Sequence, residues 1–329
     1  MLNIGLLGAG MIGSVHVDGF LTMNSQTARF TAVCDINSAQ LNDFAQKHDL
    51  RAFSDFDEML ADPDIDIVDL CLPSFLHEEF AVKALRAKKH LLIEKPIAFT
   101  LEAARNIFDA ARENGVRVMV AQVIRFWPEY VKIKEIYDSG ELGDIITVYA
   151  ARLGQMVTWV DWYKEPEKSG ETLLNFTQHD IDFLHYLLGT PVSVYSAGTC
   201  DTYNNYNDVM NIFRFKCGAN AIVDGSLSMT QGYPFTMRMR VLGTKGTLEF
   251  QYIASENIGT ESVASLMWYR SGEKPEKVEV DNYDPYGKEI EYFAQCVAAG
   301  KDPETVSEKS VMQVLKSILT AKEALKERR

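Results

Sequence analysis

Short apolar runs and helix-forming segments alternate along the first third of the chain. The apolar runs occupy residues 2–7, 30–34, 65–72, 90–93 and 117–120. Segments with apolar residues at helical spacing lie between them, at 39–48, 78–88 and 101–114. Strands that alternate with helices form parallel sheets, because each connection has to cross back over the sheet. This part of the chain therefore predicts a doubly wound, parallel α/β domain.

The pattern changes near residue 122, where strands begin to follow one another directly. Helices are predicted at 128–138, 286–299 and 307–327, and a longer strand at 145–153. Alternating apolar and polar residues predict further strands at 209–215, 221–229 and 235–241, with turns at 217–220 and 243–246. Strands joined by short turns favour antiparallel pairing. We therefore predict a first domain over 1–122 and a second, α+β domain over 123–329 with a large, mostly antiparallel open sheet.

Length and composition agree with two globular domains and exclude several classes of protein. The 329 residues fit about two domains, and 33 Lys and Arg against 46 Asp and Glu give a net charge of −13, which opposes binding to nucleic acid. No stretch reaches the roughly 20 apolar residues of a membrane span, and no signal-peptide pattern is present, so we expect a cytoplasmic location. Five scattered cysteines without a CxxC pair are typical of reduced thiols.

A glycine-rich turn follows the first predicted strand. Gly8, Gly10 and Gly13 form a GxGxxG sequence with Ala9, Met11 and Ile12 between them. At a strand-to-helix junction such a turn lets backbone N–H groups approach a pyrophosphate, so Met11 and Ile12 are also candidates for cofactor contacts. Asp35 follows the next strand, 22 residues after Gly13, where a carboxylate holds a ribose diol. No arginine follows Asp35 at 36–38, which favours NAD over NADP. A glycine turn without a ligand is the alternative.

Two further segments carry candidate catalytic residues. Glu94, Lys95 and Pro96 follow the strand at 90–93, at the sheet edge where α/β proteins bind ligands. Lys95 could hydrogen-bond a substrate hydroxyl there, although a surface ion pair would explain the segment equally. A helix over 174–188 would place Asn175 and His179 on one polar side with Asp182 and Tyr186. His179 is a candidate general base, and a solvated polar face is the alternative.

Together these segments resemble the Gfo/Idh/MocA family, named for glucose-fructose oxidoreductase, inositol dehydrogenase and a rhizopine catabolism protein. The resemblance covers essentially the whole chain and implies a Rossmann domain followed by an α+β domain. It assigns Gly8, Gly10, Gly13 and Asp35 to a dinucleotide, Glu94 to the surroundings of its nicotinamide, and Lys95 and His179 to catalysis. It also places the turn that contains Pro73, Ser74 and His77 against the cofactor, and Arg125 at the crossover between domains.

Four positions depart from the family pattern, of which Leu72 and Ser74 stand in the turn before His77 where the family has threonine and asparagine. Asn175 stands where the family has aspartate, and Glu171 replaces the second glycine of a pair. An amide cannot accept a proton as a carboxylate does, so we assign Asn175 to substrate binding and leave the proton to Lys95 and His179.

Other residues are candidates for substrate contacts. Trp159, Trp162 and Tyr163 could stack on a sugar ring, although tryptophans in a loop are equally typical of packing against their own domain. Arg152, Tyr283 and Tyr286 are further candidates. His16 and His185 fit structural roles, because no metal-ligand spacing surrounds either, and we predict no metal site.

The sequence therefore predicts an NAD-dependent oxidoreductase acting on a secondary alcohol of a sugar, cyclitol or sugar derivative. The resemblance also implies a homodimer or homotetramer formed through the second domain's sheet. Two alternatives stay open. One is an NAD-dependent glycosidase or isomerase that regenerates its cofactor without net turnover, and the other is a non-catalytic dinucleotide-binding sensor.

Overall fold

A computed structural model describes residues 1–158, 160–254 and 262–326. Their contacts divide the chain into two compact units. The first unit contains Met1–Phe126 and Asn282–Met312, and the second contains Trp127–Asp281 and the segment that begins at Gln313. The helices are α1 Met11–Thr22, α2 Ser38–His48, α3 Phe56–Ala61, α4 His77–Arg86, α5 Leu101–Asn114, α6 Pro128–Asp138, α7 Pro166–Ser169, α8 Gln178–Leu188, α9 Pro285–Ala298 and α10 Glu308–Lys326. None of these helices is long and apolar enough to cross a membrane.

The first unit is built on a six-stranded parallel sheet. Its strands are β1 Leu2–Leu7, β2 Ala28–Cys34, β3 Arg51–Phe53, β4 Ile67–Leu70, β5 His90–Glu94 and β6 Val118–Ala121. They are ordered β3-β2-β1-β4-β5-β6, and every pair is parallel. This is the strand order of the dinucleotide-binding Rossmann fold, so the predicted doubly wound sheet is confirmed. The sequence pattern missed β3, whose three residues at the sheet edge include exposed Arg51 and Ala52.

The second unit is built on an eight-stranded, mostly antiparallel sheet, as predicted. Its strands are β7 Ile145–Leu153, β8 Pro191–Cys200, β9 Tyr206–Phe215, β10 Asn220–Ser226, β11 Thr236–Gly243, β12 Gly246–Ala254, β13 Ser262–Arg270 and β14 Glu276–Lys277. They are ordered β14-β13-β12-β11-β7-β10-β9-β8, and only the pair of β7 and β10 is parallel. β7 therefore lies inside a sheet whose other strands come much later in the sequence.

One face of this second sheet is covered and the other is open. Along β9, Val209 and Phe213 are buried, whereas Met210 and Ile212 between them are 56% and 44% exposed. The covered face packs against Tyr130 of α6, whose ring centroid lies 4.8 Å from that of Phe183 in α8 and 5.1 Å from that of Phe250 in β12. The alternation seen in the sequence thus sets apart a core face and a solvent face.

Helix α9 belongs to the first unit although it follows the second sheet in the sequence. Gly287 of α9 approaches Gly19 of α1 so closely that a Cβ atom on either residue would overlap the other segment. The division therefore differs from the predicted 1–122 and 123–329: contacts place the first break after Phe126 and return 282–312 to the first unit. Hydrophobic periodicity reveals that α9 is a helix, but it does not reveal which surface the helix covers.

Glu289 places a carboxyl group inside the first unit. The side chain is completely buried, and neither carboxylate oxygen has a hydrogen-bond partner among the described residues. Burial, together with the negative charges of Glu94, Asp69 and Asp284, raises the pKa of Glu289 well above its usual value, although His16 opposes this shift. Burial therefore favours the protonated form of Glu289 in the folded protein.

Replacement of Glu289 by glutamine tests this protonation state. A carboxyl whose pKa is raised by folding loses stability as the pH rises from its ordinary pKa toward the folded value. Glu289→Gln removes this loss of stability. The melting temperature of the variant should therefore exceed that of the wild type by a few degrees at pH 8, since each kcal/mol corresponds to about 2–4 °C. The difference should shrink toward pH 4. Thermal unfolding monitored across this pH range measures it. A difference independent of pH would contradict a protonated Glu289.

Candidate functional site

The glycine turn between β1 and α1 combines two glycines that the fold requires with one that lies in open space. Gly8 has φ +104°, and a Cβ atom there would lie 2.6 Å from the carbonyl oxygen of Cys71. A Cβ atom on Gly13 would overlap the carbonyl of Gly8. Gly10 differs, because no atom of the described structure lies within 4 Å of the Cβ position there. Close packing therefore explains why residues 8 and 13 are glycine, whereas the space beside Gly10 is open.

The N-terminus of α1 opens at this turn. Gly10 is its N-cap, no side chain among the described residues caps the helix, and the first turn contains no acidic residue. The N–H groups at the start of a helix have no helical partners, and the helix dipole places positive charge there. Met11 is 67% exposed, so the first turn faces solvent. This end of α1 therefore suits an anion, as the sequence predicted.

Asp35 lies beside the glycine turn and orients it. Its Oδ2 accepts a hydrogen bond of 2.8 Å from the N–H of Ala9, and its Oδ1 accepts one of 2.8 Å from the N–H of Asn37. Gln40 donates to the carbonyl of Ala9 at 2.6 Å. The structure thus brings together Asp35 and the glycine turn, as their spacing predicted. The open space at Gly10, the uncapped helix and this carboxylate together fit a dinucleotide.

His77 is bonded through both ring nitrogens to backbone carbonyls of two neighbouring turns. The ring is fully buried, with Nδ1 2.8 Å from the carbonyl oxygen of Pro96 and Nε2 2.9 Å from that of Leu72. It therefore links the turn after β4, which contains Pro73 and Ser74, to the turn after β5. The ring thus holds these two turns together, and the contact of this segment with the cofactor stays a prediction.

Glu94 and Lys95 leave the carboxyl end of β5. Glu94 is 6% exposed, and its Oε2 accepts a 2.9 Å hydrogen bond from the N–H of Lys95. Burial acts to raise the pKa of Glu94, but the hydrogen bond and charge of His16 and the charge of Lys95 outweigh burial and lower it. Glu94 is therefore ionised, and it fixes the backbone from which half-buried Lys95 extends.

His16 lies in a buried charged cluster that the sequence analysis missed. Its Nδ1 is 2.9 Å from Oδ2 of Asp69, and its Nε2 is 3.1 Å from Oε1 of Glu94. The Sγ of Cys71 is 3.6 Å from Oδ1 of Asp69. The signal in the sequence was Asp69 itself, because an aspartate in the middle of an apolar strand has to find a buried partner.

The atoms of this cluster would also lie close enough to share a metal ion. Ligand atoms of His16, Asp69 and Cys71 are all within 4.8 Å of one another. Both ring nitrogens of His16, however, lie at hydrogen-bond distance from carboxylates, and a ring that donates both hydrogens has no lone pair for a metal. The geometry fits an imidazolium, and the absence of a metal stays a prediction.

In the second unit, Asn175 and His179 lie on either side of a change in helix type. Thr172–Phe176 forms a π-helical turn, and α8 begins only at Gln178, where the sequence predicted one continuous helix over 174–188. A π turn inserts an extra residue and is common at functional sites. Asn175 and His179 are both half-buried, whereas Asp182, predicted on the same polar side, is fully buried. Asn175 donates to the carbonyl of Ser169 at 3.1 Å.

Glu171 starts this π turn in a conformation that normally requires glycine. Its φ of +59° and ψ of −174° cost about 1–3 kcal/mol for a residue with a side chain. The buried carboxylate accepts from the N–H of Tyr206 at 3.2 Å and pairs with Lys322 of α10 at 2.7 Å. These two contacts hold Glu171 in place of the glycine of the family pattern.

Arg152, a predicted substrate contact, pairs with Asp180 of α8 in the structure. Its Nε lies 2.8 Å from Oδ2 of Asp180 and its Nη2 lies 3.2 Å from Oδ1, and both side chains are buried. Nη1 lies 2.9 Å from the sulfur of Met237. Arg152 thus anchors α8 from β7 and supports His179 indirectly.

The remaining candidates are spread over both units. Arg125 is buried in the first unit and donates to the carbonyl of Thr305 and, at 3.3 Å, to Ser310. Tyr283, also in the first unit, has the ammonium of Lys288 5.5 Å from its ring centroid. Trp162 packs against Tyr163 in the second unit, with 5.1 Å between ring centroids. Trp159 lies outside the described residues. Three further candidates have half-buried or buried rings: Tyr163, His185 and Tyr286.

Comparison with known proteins identifies two family models along the chain. One, described as an oxidoreductase family with an NAD-binding Rossmann fold, matches residues 2–122, and the GFO/IDH/MocA C-terminal domain matches 130–249. Inositol 2-dehydrogenase of Salmonella typhimurium is 30% identical over 77% of this chain and 75% of its own. Myo-inositol 2-dehydrogenase of Thermotoga maritima is 26% identical over 100% of this chain and 97% of its own.

Solved structures share the fold over the whole chain. Aldose-aldose oxidoreductase from Caulobacter crescentus has a TM-score of 0.88 and 21% identity, covering 100% of this chain and 98% of its own. At this identity the likeness concerns the fold alone.

The pair of Glu171 and Lys322 yields a test of how the π turn is held. Lys322→Met leaves a buried carboxylate without its cation, which should cost about 1–3 kcal/mol, less than a fully buried pair because Lys322 is partly exposed. Adding Glu171→Gly removes both the unpaired charge and the backbone strain, so the double variant should recover most of the loss. Denaturant unfolding measures the free energy of unfolding of the single and the double variant. Lys326→Met, at an exposed position of α10, is the control, and its free energy of unfolding should stay within about 0.5 kcal/mol of the wild type. Additive losses in the double variant would contradict the pairing.

Proposed function

Because the chain belongs to the Gfo/Idh/MocA family of oxidoreductases, we propose that it transfers a hydride between NAD and a secondary alcohol of a sugar or cyclitol. The observation that carries this proposal is the carboxyl edge of the parallel sheet, where the open N-terminus of α1, Asp35 and Lys95 follow three different strands. Relatives named as inositol dehydrogenases support an alcohol of this class as the substrate.

The residues around the glycine turn fit a nicotinamide dinucleotide. Backbone N–H groups from Gly10 to Gly13 would hold the pyrophosphate, and Asp35 would accept hydrogen bonds from the adenosine ribose. We favour NAD, since the Asp35 carboxylate would repel the 2′-phosphate of NADP. When bound, the nicotinamide supplies the hydride acceptor or donor, and the protein supplies position and proton transfer.

Lys95 and His179 are the residues we assign to the proton of the alcohol. Glu94 fixes the backbone of Lys95, and the Lys95 ammonium would hydrogen-bond the substrate hydroxyl and favour its ionised form. His179, at the start of α8, would act as the general base, since imidazole titrates near neutral pH. Asn175 would hydrogen-bond another substrate hydroxyl, with Trp162 and Tyr283 as further contacts. Arg152 would act through Asp180 and α8.

Steady-state kinetics with NAD and NADP on a panel of polyols, aldoses and inositols test this proposal. Lys95→Met and His179→Gln should each lower kcat/KM on the best substrate by about 10²–10⁴-fold, because each removes a proton-transfer group. Lys132→Met, which changes only an exposed pair with Glu135, is the matched control and should leave kcat/KM unchanged. Full activity in Lys95→Met would refute its assignment. Turnover without accumulation of NADH would favour the glycosidase or isomerase, and binding of NAD without any turnover would favour a sensor.

Two glycine substitutions separate cofactor binding from folding. Gly10→Ala places a methyl group in open space, so the free energy of unfolding should change by less than about 1 kcal/mol. The same methyl group would occupy the approach to the pyrophosphate, and the Kd for NAD should rise at least about tenfold, which corresponds to about 1.4 kcal/mol. Gly13→Ala should instead destabilise the fold by about 1–3 kcal/mol through overlap with Gly8. Calorimetric titration with NAD and thermal unfolding measure the two effects. Unaltered NAD binding by Gly10→Ala would contradict the assigned site.

The open face of the second sheet supports association with a second copy of the chain. Tyr195 of β8 lies directly opposite Ile212 of β9 in the strand register, and both are exposed, as is Met210. Exposed apolar residues on one sheet face are typical of protein interfaces. We therefore propose a homodimer or homotetramer formed through this face.

A further inference from the structure

The ring of His16 joins three elements of the first unit through charged contacts. It projects from the buried face of α1, three residues after Gly13, and its nitrogens reach Asp69 in β4 and Glu94 at the end of β5. His16 and Asp69 are completely buried. No water can replace either hydrogen bond there, so the loss of one partner would leave a buried charge uncompensated.

His16 is charged in this setting. Burial acts to lower its pKa, but the charge and hydrogen bond of Asp69 outweigh burial and raise the pKa of His16 well above its usual value. Each ring nitrogen lies at hydrogen-bond distance from an acidic side chain, and two ionised carboxylates there would be satisfied only by a ring that carries hydrogen on both nitrogens. The geometry and the electrostatics therefore both indicate an imidazolium.

Glu94 contacts both His16 and the backbone of Lys95, one through each carboxylate oxygen. While Oε1 of Glu94 faces His16, Oε2 accepts from the backbone N–H of Lys95. With both ring nitrogens of His16 as donors, the two oxygens of Glu94 accept one hydrogen bond each, so an ionised carboxylate in this orientation holds both contacts. From these contacts we infer that His16 is a positioning residue that acts through Glu94 to fix the backbone of Lys95, an inference that rests on the catalytic role proposed for Lys95.

The surrounding groups set how this arrangement responds to pH. Titratable groups from several elements face His16 or Glu94. They are Asp69 of β4, Cys71 directly after it, His77 at the start of α4, Lys95 after β5, and Tyr286 and Glu289 of α9. Without the imidazolium, burial is opposed by fewer favourable contacts, so the pKa of Glu94 would rise. The ionised form of Glu94 would then be less favoured at low pH than at high pH.

His16→Gln tests the inference, because the amide keeps the approximate size of the ring but not its charge. We expect kcat to fall about 100-fold, since small displacements of a catalytic group have effects of this size, while KM changes less than about threefold. The loss should be larger at pH 6 than at pH 9, because Glu94 regains its charge as the pH rises. Glu94→Gln should lose activity without this recovery, and the double variant should resemble Glu94→Gln. His48→Gln, a buried histidine of the same unit that packs on Phe44, should match the wild type.

Two measurements without substrate keep this result separate from the proposed oxidoreductase activity. In ¹⁵N-labelled wild-type protein, the His16 ring should show two protonated nitrogens at pH 8. Hydrogen exchange at the Lys95 amide should become at least about tenfold faster in His16→Gln and stay unchanged in His48→Gln. A neutral His16 ring at pH 8, unaltered exchange at Lys95, or losses from His16→Gln and Glu94→Gln that multiply would overturn the inference. Absence of turnover by the wild type would instead count against the proposed function alone.

Discussion

Close backbone packing at the carboxyl edge of the parallel sheet is the constraint on which the first unit depends. Gly8 lies against the carbonyl of Cys71, and Gly13 lies against the carbonyl of Gly8, so α1 starts immediately beside the ends of β1 and β4. This approach has two consequences. It leaves the N-terminus of α1 uncapped beside Gly10, and it inserts His16 between Asp69 and Glu94. One steric requirement thus shapes both the anion-binding turn and the buried cluster behind it.

Much of the fold could be predicted because local sequence patterns determine it. The strands of the first unit other than β3 were recognised as apolar runs, and the glycine turn and Asp35 were placed together by their spacing alone. The return of 282–312 to the first unit could not be predicted. The close approach of Gly287 and Gly19 that determines it joins segments far apart in the sequence, and neither glycine is distinctive on its own.

The sequence predicts the site residues that directly follow a strand. It does not predict the contacts of side chains whose partners come from distant parts of the chain. Helical periodicity groups Asn175 with His179, but a period of 3.6 residues does not indicate the π turn that contains Asn175. An arginine in a strand suggests a substrate contact, but the linear pattern does not show that Arg152 pairs with Asp180 of a later helix. The partner of a buried charge depends on topology, which the linear pattern does not contain.

Several buried carboxylates in both units are paired with cations from other elements. Glu94 and Asp69 share His16, Asp180 is paired with Arg152, and Glu171 is paired with Lys322. In each case the cation comes from a different helix or strand, so neutralising the charge also fixes two elements against each other. Glu289 has no hydrogen-bond partner of this kind among the described residues, and burial favours its protonated form. Charge compensation between elements, more than local propensity, therefore determines where Lys95 and His179 are held.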